Sequence, residues 1–484
     1  MGIRRALATS VIAFSLIACA SPENVAESDG TWIGMVTSEG NVTTVINESG
    51  SVWGGTARMI EEASIGVDVG EEPYMLGSIV AITASNDRIY LLDEKPPKVR
   101  VYDLDGAHVL DIGREGQGPG ELNRAYSIGI RADGNLLVHA GGNARINVFS
   151  PDGELLHDWP LQGGPFWSST QMVMMTDGTV YTWLPAGDRD ERGIRGLGMV
   201  PLSMDGELGD PIFLPESEPT LTLGRISGTS SSVGFSINRD LIVPFSPRTR
   251  SALSPVGAIV SGSWDRYRFE ARKFDGSVLV VERIAEPVPV DAEEASWYRR
   301  YITAQALDLD PSWSWSGPDI PVTKPYFSAF YADHDGRIWV RRPGPGRRLP
   351  DCDEDPYPAI PGRIARCWED SELVDVFGPD GRYLGDIELP DSALLRPDQA
   401  FVRGDMVLLR LEDEAGTIMV KRYRLVLVTR EEAARVQDPL QVQRVSFNNV
   451  HGVANYNGLN VASISNPAFS LTALLAARRQ RAHQ

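Results

Sequence analysis

The sequence predicts an all-β fold, a six-bladed β-propeller whose blades are four-stranded antiparallel sheets. Two segments of the chain, residues 87–106 and 133–153, align with each other, and each ends in an Asp-Gly pair, Asp105-Gly106 and Asp152-Gly153. In both segments a turn leads into a hydrophobic strand, a loop leads into a second strand, and the Asp-Gly pair closes a hairpin onto a third. The 484 residues include 47 Gly and 33 Pro, which is typical of many short strands joined by turns.

The same turn pattern recurs along the rest of the chain and gives the number of blades. A single blade cannot bury both of its faces, so the repeat implies radial stacking of blades around an axis. Pairing the candidate turns in chain order predicts six blades. The candidates for a first turn are Asp177-Gly178, Arg239-Asp240, Asp335-Gly336 and Gly404-Asp405, and those for a later hairpin are Asp205-Gly206, Asp275-Gly276, Asp380-Gly381 and Ala415-Gly416.

Two segments outside the repeat have roles in the predicted fold. Residues 31–53 precede the first recognisable blade and carry an apolar pattern, so we expect them to close the ring by adding a strand to the last blade; an extra hairpin is the alternative. Between blades 4 and 5, Asp291 is a candidate helix N-cap with Glu294 three residues later, and Trp297 and Tyr301 follow at helical spacing. This pattern predicts a short helix packed on the propeller.

Charge and motifs exclude several classes of protein. Lys and Arg number 46 against 65 Asp and Glu, a formal net charge of −19, which argues against nucleic acid as a partner. The sequence contains no His-x-x-x-His pair, no Gly-x-Ser-x-Gly elbow and no Walker sequence. Zincins, typical serine hydrolases and P-loop enzymes are therefore not leading candidates.

The amino terminus has the features of an export signal. Arg4 and Arg5 precede an apolar run over residues 6–18, which is too short to span a bilayer as a mature helix. The run ends in Leu-Ile-Ala-Cys at Cys19, which resembles the bacterial lipobox, and that resemblance implies a lipid-modified Cys19; an ordinary secretory signal cut near Ala20 is the alternative. We therefore expect a lipid-anchored protein of the bacterial cell envelope, at the outer membrane or the periplasmic face.

This interpretation divides the chain into four parts. The two remaining cysteines, Cys352 and Cys367, would face an oxidising compartment, and we predict that they form a disulfide. A metal-binding thiol pair is the weaker alternative, because no His or second Cys pair lies nearby in sequence. The predicted parts are a signal peptide with lipobox (1–19), a tether (20–30), the propeller (31–429) and a C-terminal extension that is partly helical or disordered (430–484).

A glycine-rich segment follows the first blade and carries a family resemblance. Residues 113–122 read Gly-Arg-Glu-Gly-Gln-Gly-Pro-Gly-Glu-Leu, and residues 324–340 contain a second family-like pattern. Together they resemble bacterial six-bladed β-propeller lipoproteins related to NHL repeats, with a Gly-x-x-Gly-x-Gly-Pro-Gly-Glu signature. The resemblance implies the fold and an envelope location, and little chemistry comes with it. Its signature positions here are Gly113, Gly116, Gly118, Pro119, Gly120 and Glu121.

Two segments invite a ligand interpretation that competes with a plain structural one. The signature segment could cradle a phosphate, but Pro119 removes a donor and a strand-like segment follows, which favours an inter-blade turn. Residues 351–355 have the alternating carboxylates of a calcium loop. However, Pro356 and Gly362 stand where an EF-hand needs Gly and Glu, which favours a solvated acidic loop.

An aromatic concentration after the predicted helix gives the candidate ligand-binding residues. Trp313, Trp315, Tyr326 and Phe327 could stack on a sugar or anchor a protein partner, or they could be the core of the helix-to-blade junction.

We predict a binding propeller that recognises a glycan, a peptide or an envelope protein, with no cofactor. The first alternative is a metal-dependent lactonase- or lyase-like enzyme whose carboxylates hold a metal, with calcium as the candidate, in the central channel. The second alternative is a structural lipoprotein that assembles with another envelope component.

Overall fold

The computed structural model describes residues 32–161, 172–189, 195–203, 205–214, 220–229, 236–246, 248–262, 265–350, 367–390, 393 and 395–429. All of these belong to the first of two units, which divide after Ala433. The expectations for Cys19, the tether, Cys352, the acidic loop and the C-terminal extension lie outside the described residues.

The described residues form seven sheets, and five of these supply six consecutive blades, as the repeat predicts, because blades 5 and 6 share one eight-stranded sheet. Alternating apolar residues bury the blade faces against each other, and Asp-Gly turns join the strands because the glycine adopts positive φ, as at Gly106 (φ 89°). The strands are β1 (Ile33–Glu39), β2 (Val42–Ser49), β3 (Gly55–Ile65), β4 (Ile79–Ala84), β5 (Arg88–Glu94), β6 (Pro97–Asp103), β7 (His108–Ile112), β8 (Arg114–Glu115), β9 (Glu121–Leu122), β10 (Ala125–Ile130), β11 (Leu136–Ala140), β12 (Arg145–Phe149), β13 (Leu155–Pro160), β14 (Met172–Met174), β15 (Val180–Arg189), β16 (Arg195–Leu202), β17 (Thr222–Thr229), β18 (Ser236–Ile242), β19 (Arg250–Ser254), β20 (Ala258–Gly262), β21 (Arg268–Lys273), β22 (Val278–Arg283), β23 (Ala329–Ala332), β24 (Ile338–Arg348), β25 (Trp368–Phe377), β26 (Tyr383–Ile387), β27 (Ala400–Arg403), β28 (Met406–Glu412) and β29 (Ile418–Thr429).

Each blade begins with an inner strand, and the blades differ in their outer parts. Blade 1 is β4–β7, blade 2 is β10–β13, blade 3 is β14–β16, blade 4 is β19–β22, blade 5 is β23–β26, and blade 6 is β27–β29 with β3. In blade 3, isolated bridges of Met199 to Ile212 and Leu202 to Leu208 stand where the other blades have a fourth strand. Buried apolar clusters lie along the ring between neighbouring blades, for example Leu122 and Leu136 between blades 1 and 2.

The ring is closed by β3, and the expectation that residues 31–53 close it is wrong. β3 pairs antiparallel with β29 over its whole length and becomes the outer strand of blade 6. Residues 33–49 instead form the β1–β2 hairpin, the alternative considered above, and β2 pairs in parallel with β22 of blade 4. The hairpin is held there because Val45 is fully buried in the core between blades 4 and 5.

Two turn assignments also need correction. Arg239-Asp240 is not a first turn but lies within β18, in a separate β17–β18 hairpin; blade 4 begins only at Arg250 and turns at Pro255–Gly257. Ala415-Gly416 joins the second and third strands of blade 6, because its fourth strand comes from the amino-terminal part of the chain.

The predicted helix is present between blades 4 and 5 as α1 (Ala292–Leu309). The Asp291 side chain caps it by accepting hydrogen bonds from the backbone N–H groups of Glu293 (2.7 Å) and Glu294 (3.3 Å). The Glu294 carboxylate accepts a hydrogen bond from the buried Lys324 (2.8 Å). Among the described residues, no helix has the length and apolarity needed to cross a bilayer.

Candidate ligand-binding channel

The inner strands of all six blades line a central cavity of about 250 Å³. Most of the residues that line it are apolar, and the inner strands also bring a few polar side chains to it. Its lining residues are Ile82, Thr83, Ile128, Met172, Val173, Met174, Trp183, Met199, Leu214, Arg250, Ser251, Ala252, Leu253, Pro255, Ala329, Phe330, Tyr331, Ala332, His334, Pro397, Ala400 and Phe401.

Three methionines give one wall of this cavity its character. Met172 and Met174 belong to β14, and Met199 belongs to β16 of the same blade. Methionine is unbranched and polarisable, so its side chain can adapt to apolar groups of different shape. This wall therefore suits an apolar group of a ligand.

One end of the channel, which we call the turn end, is formed by the turns between the first and second strands of the blades. Arginines at this end donate to backbone carbonyl groups of the following blade. The donor–acceptor pairs are Arg337 Nη2 to Gly404 O (2.7 Å), Arg403 Nη2 to Ser85 O (2.6 Å) and Arg88 Nη1 to Pro151 O (2.7 Å). These contacts join blade 5 to blade 6, blade 6 to blade 1, and blade 1 to blade 2, so these arginines stabilise the packing of neighbouring blades.

The buried carboxylate of Asp333 organises this end. Its Oδ2 accepts hydrogen bonds from Arg337 Nε (2.6 Å) and Trp339 Nε1 (2.9 Å). The neighbouring His334 contacts the Val402 carbonyl oxygen through Nδ1 (3.2 Å). Burial lowers the pKa of His334 below its usual range, so the ring is neutral at neutral pH. Since a carbonyl only accepts, the neutral ring carries its proton on Nδ1.

The opposite end, which we call the arginine end, has a different electrostatic arrangement. Arg248, Arg250, Arg341 and Arg396 lie at or just before the start of inner strands or beside them. Among the residues that the structure describes, only Arg341 forms an ion pair, with Glu372. Burial and the neighbouring Arg248 lower the pKa of Arg250, and burial together with Arg396 lowers that of Arg341. The described residues therefore neutralise the positive charge at this end only in part.

A second cavity of about 330 Å³ lies beside the arginine end, between α1 and the starts of blades 4 and 5. Arg250 lines both cavities, and Arg248 lines the second one. The lining residues of the second cavity are Ile242, Val243, Pro244, Phe245, Ser246, Arg248, Arg250, Tyr298, Tyr301, Ile302, Pro325, Phe327, Ser328, Pro343 and Asp370. Its carboxylate, Asp370, is already bound by Lys324 (2.5 Å).

The signature segment forms an inter-blade turn, and a side chain of the segment occupies its anion-binding groups. β8 and β9 pair in parallel and close the loop between blades 1 and 2. The Glu121 carboxylate accepts hydrogen bonds from the backbone N–H of Gly118 (2.9 Å) and from Arg114 (2.9 and 3.0 Å), which lower its pKa. Gly113 and Gly120 have positive φ of 75° and 73°. An internal carboxylate thus stands where a phosphate would have to bind.

The four candidate aromatic residues lie in two separate places. Trp313 and Trp315 are half-buried against the cluster that joins α1 to the β17–β18 hairpin, and their rings meet edge to face at 6.3 Å. Tyr326 is half-buried against the core between blades 4 and 5, and Phe327, 1% exposed, belongs to that core. The structure does not bring the two pairs together, and Phe327 is the one that also lines the second cavity.

The described residues include one of the two cysteines of the predicted disulfide and can be searched for a metal site. Cys367 is buried beside Trp297 and Trp368. Its expected partner Cys352 lies outside the described residues, so the disulfide stays a prediction. No group of three or more His, Cys, Asp or Glu side chains within the described part of the chain is placed to hold a metal ion.

Comparisons with known proteins agree with the fold. The model of the family DUF5128, described as a 6-bladed beta-propeller, matches residues 70–156, which span blades 1 and 2. The chain is a six-bladed β-propeller. Its segment of 162 residues is 30% identical to the E3 ubiquitin-protein ligase TRIM71 of Rattus norvegicus, covering 32% of this chain and 17% of that protein, and the same figures hold for TRIM71 of Mus musculus. The chain thus spans about a sixth of the length of these curated relatives.

Solved structures similar to the propeller include proteins of different activities. They are a member of the duf4221 family from Bacteroides vulgatus (11% identity, 78% of this chain and 100% of that chain, TM-score 0.43), virginiamycin B lyase from Staphylococcus aureus (10%, 76% and 100%, 0.36) and a gluconolactonase from Xanthomonas campestris (12%, 84% and 96%, 0.32). Similarity at this level transfers no activity to this propeller.

Sequence reasoning missed the arginine end. Arg250 is the first residue of the inner strand of blade 4 and Arg248 lies just before that strand, whereas the turn pattern placed the first turn of this blade at Arg239-Asp240. The signal that could have found them is the Pro255-Val-Gly257 turn, which bounds the true inner strand.

Proposed function

We propose that this propeller is a binding protein that takes an apolar group of a peptide or of a protein segment into its central channel. The observation that carries the proposal is the cavity of about 250 Å³ to which all six inner strands contribute apolar side chains. Cavities of this kind hold a ligand through apolar contact and orient it through a few polar groups. Here those polar groups are Arg250, Ser251 and Thr83.

The experiment measures the melting temperature of the purified residues 31–429 with acetylated tripeptides ending in Leu, Met or Phe, and with chitotriose. At least one peptide should raise the melting temperature in a concentration-dependent way, because a ligand that binds only the folded state stabilises it by mass action. Ala252→Phe narrows the channel from β19 and should abolish the shift. Ala415→Phe, on an exposed turn of blade 6, is the matched control and should retain it.

Two results would contradict this proposal. One is a peptide shift that Ala252→Phe leaves intact, since binding would then occur elsewhere. The other is a shift with chitotriose alone, which would favour the glycan alternative. Metal content should be measured on the same sample. About one Ca²⁺ per chain, with a melting temperature that a chelator lowers, would favour the metal-dependent enzyme over the binding protein.

The cellular location is part of the proposal and is supported by the lipobox-like sequence at Cys19. We expect the full chain to incorporate labelled palmitate in a bacterial host and to fractionate with membranes. Cys19→Ser should remove both properties while leaving the propeller soluble after export, and unchanged labelling would exclude a lipid at this residue.

A further inference from the structure

We propose that Arg248 and Arg250 form a carboxylate-binding site at the arginine end, which receives the free C-terminal carboxylate of a bound peptide. This inference rests on the proposed function and adds the chemical class of the ligand. It is carried by the position of Arg250 between two cavities, together with the absence of an internal partner for its charge among the described residues.

The hydrogen bonding of Arg250 leaves its outer edge for a ligand. Nε donates to the backbone carbonyl of Ser328 (2.7 Å), which fixes the guanidinium plane at the start of blade 5. Among the described residues, neither Nη1 nor Nη2 of Arg250 has a hydrogen-bond acceptor. A guanidinium held through one edge presents the other as a planar fork, and that fork matches the two oxygens of a carboxylate.

The surrounding charges favour an anion at this place. The chain as a whole has a formal charge of −19, yet Arg248 and Arg250 lie together, and no described carboxylate is within ion-pair distance of either. Burial of an uncompensated cation costs free energy, and a bound anion would recover that cost. Asp370 lines the second cavity, but its ion pair is with Lys324 and not with either arginine.

The two cavities that share Arg250 suit the two parts of a peptide end. The channel would take the apolar side chain of the last residue, and the second cavity would take the residues before it. That second cavity presents aromatic rings from two elements, with Phe245 and Tyr298 at a centroid distance of 5.0 Å, and Tyr301 one turn further along α1. Phe245 has a positive φ of 59°, an unfavourable conformation for a bulky residue that places its ring in the cavity wall.

The test compares two ligands that differ in one group, an acetylated tripeptide that ends in a free carboxylate and the same tripeptide as its amide. The affinity of each for residues 31–429 is measured by isothermal titration calorimetry, using the tripeptide that raises the melting temperature most. We expect the free acid to bind at least about tenfold more tightly than the amide, in line with the strength of hydrogen bonds to charged groups. The difference should shrink at 0.5 M NaCl.

Variants assign the effect to the two arginines. Arg250→Gln should reduce the preference for the free acid to within about twofold, Arg248→Gln should reduce it partly, and Arg250→Lys should keep a fraction of it because the charge remains. Arg272→Gln is the matched control: it is an exposed arginine of blade 4, on β21, and it should leave the preference unchanged.

The outcomes separate this inference from the proposed function. Equal binding of acid and amide, with loss of both in Ala252→Phe, would overturn the carboxylate site and leave the channel in place. If neither peptide binds, the proposed function fails with it. A glucuronate oligosaccharide is tested in parallel: binding that depends on Arg250 would support the carboxylate site but identify a sugar acid as its source, whereas a preference that survives Arg250→Gln would overturn the site.

Discussion

At the turn end of the channel, Arg337, Arg403 and Arg88 each donate to a backbone carbonyl of the following blade, whereas at the arginine end Arg248 and Arg250 have no described carboxylate beside them. The residue type is the same, and the surroundings differ. Arginines of the first kind contribute to the stability of the ring, because their donors replace water with fixed partners. Arg250 also donates to the following blade, from Nε to Ser328 O (2.7 Å), but neither of its Nη groups has an acceptor among the described residues, and the same holds for the whole Arg248 side chain. Donors left without a partner in the described part of the chain are the arrangement expected of a binding site.

The largest expected loss of stability comes from a substitution at the turn end. Asp333→Ala should lower the free energy of unfolding by about 3 kcal/mol, because it leaves the half-buried Arg337 and the buried Trp339 N–H without their shared acceptor. Chemical denaturation measures the change. Asp335→Ala removes a more exposed partner of the same arginine and should cost about 1 kcal/mol. Equal losses in the two variants would contradict the central role of Asp333.

A smaller effect concerns the pH dependence of the same end. The pKa of His334 is lower in the folded protein than its usual 6.5, so the unfolded state takes up the proton more readily as the pH falls. Stability from this residue is fully present above about pH 6.5 and is lost below it. Denaturation at pH 7 and pH 5 should therefore show a smaller stability loss in His334→Gln than in the wild type. An identical loss would mean that other groups account for the acid sensitivity.

The smallest expected change in stability comes from a substitution at the arginine end. Arg248→Gln should change the free energy of unfolding by less than about 0.5 kcal/mol, because this exposed side chain has no hydrogen bond among the described residues. Any change should be toward greater stability, since removing Arg248 relieves repulsion of Arg250. Denaturation of the variant in parallel with Asp333→Ala measures both ends together. A loss of 2 kcal/mol or more would place Arg248 among the structural arginines.

The two ends also differ in how far the sequence predicts them. The Asp-Gly pairs near Gly106 and Gly336 predict the blades and the turn end, because a turn that needs positive φ leaves a local signal. The helix is predicted equally well from the Asp291 cap. The arginine end is not predicted, since it depends on inner strands of different blades meeting at the axis, and the turn that follows β19 contains no Asp-Gly pair. The sequence also did not predict β3 as the strand that closes the ring, because its pairing with β29 leaves no periodic signal in either segment.

The path of β1 to β3 has a consequence for how the protein folds as it is made. Residues 33–65 run from the outer edge of blade 4, past blade 5, to the outer edge of blade 6, and the ion pair of Glu61 with Lys421 spans 360 positions in the chain. β3 must therefore wait for β29, which is synthesised much later. Until β29 emerges, β3 has no antiparallel partner and its backbone groups are open to wrong pairing. Contacts this distant in sequence slow folding, so β3 would depend on protection from wrong pairing until blade 6 is complete.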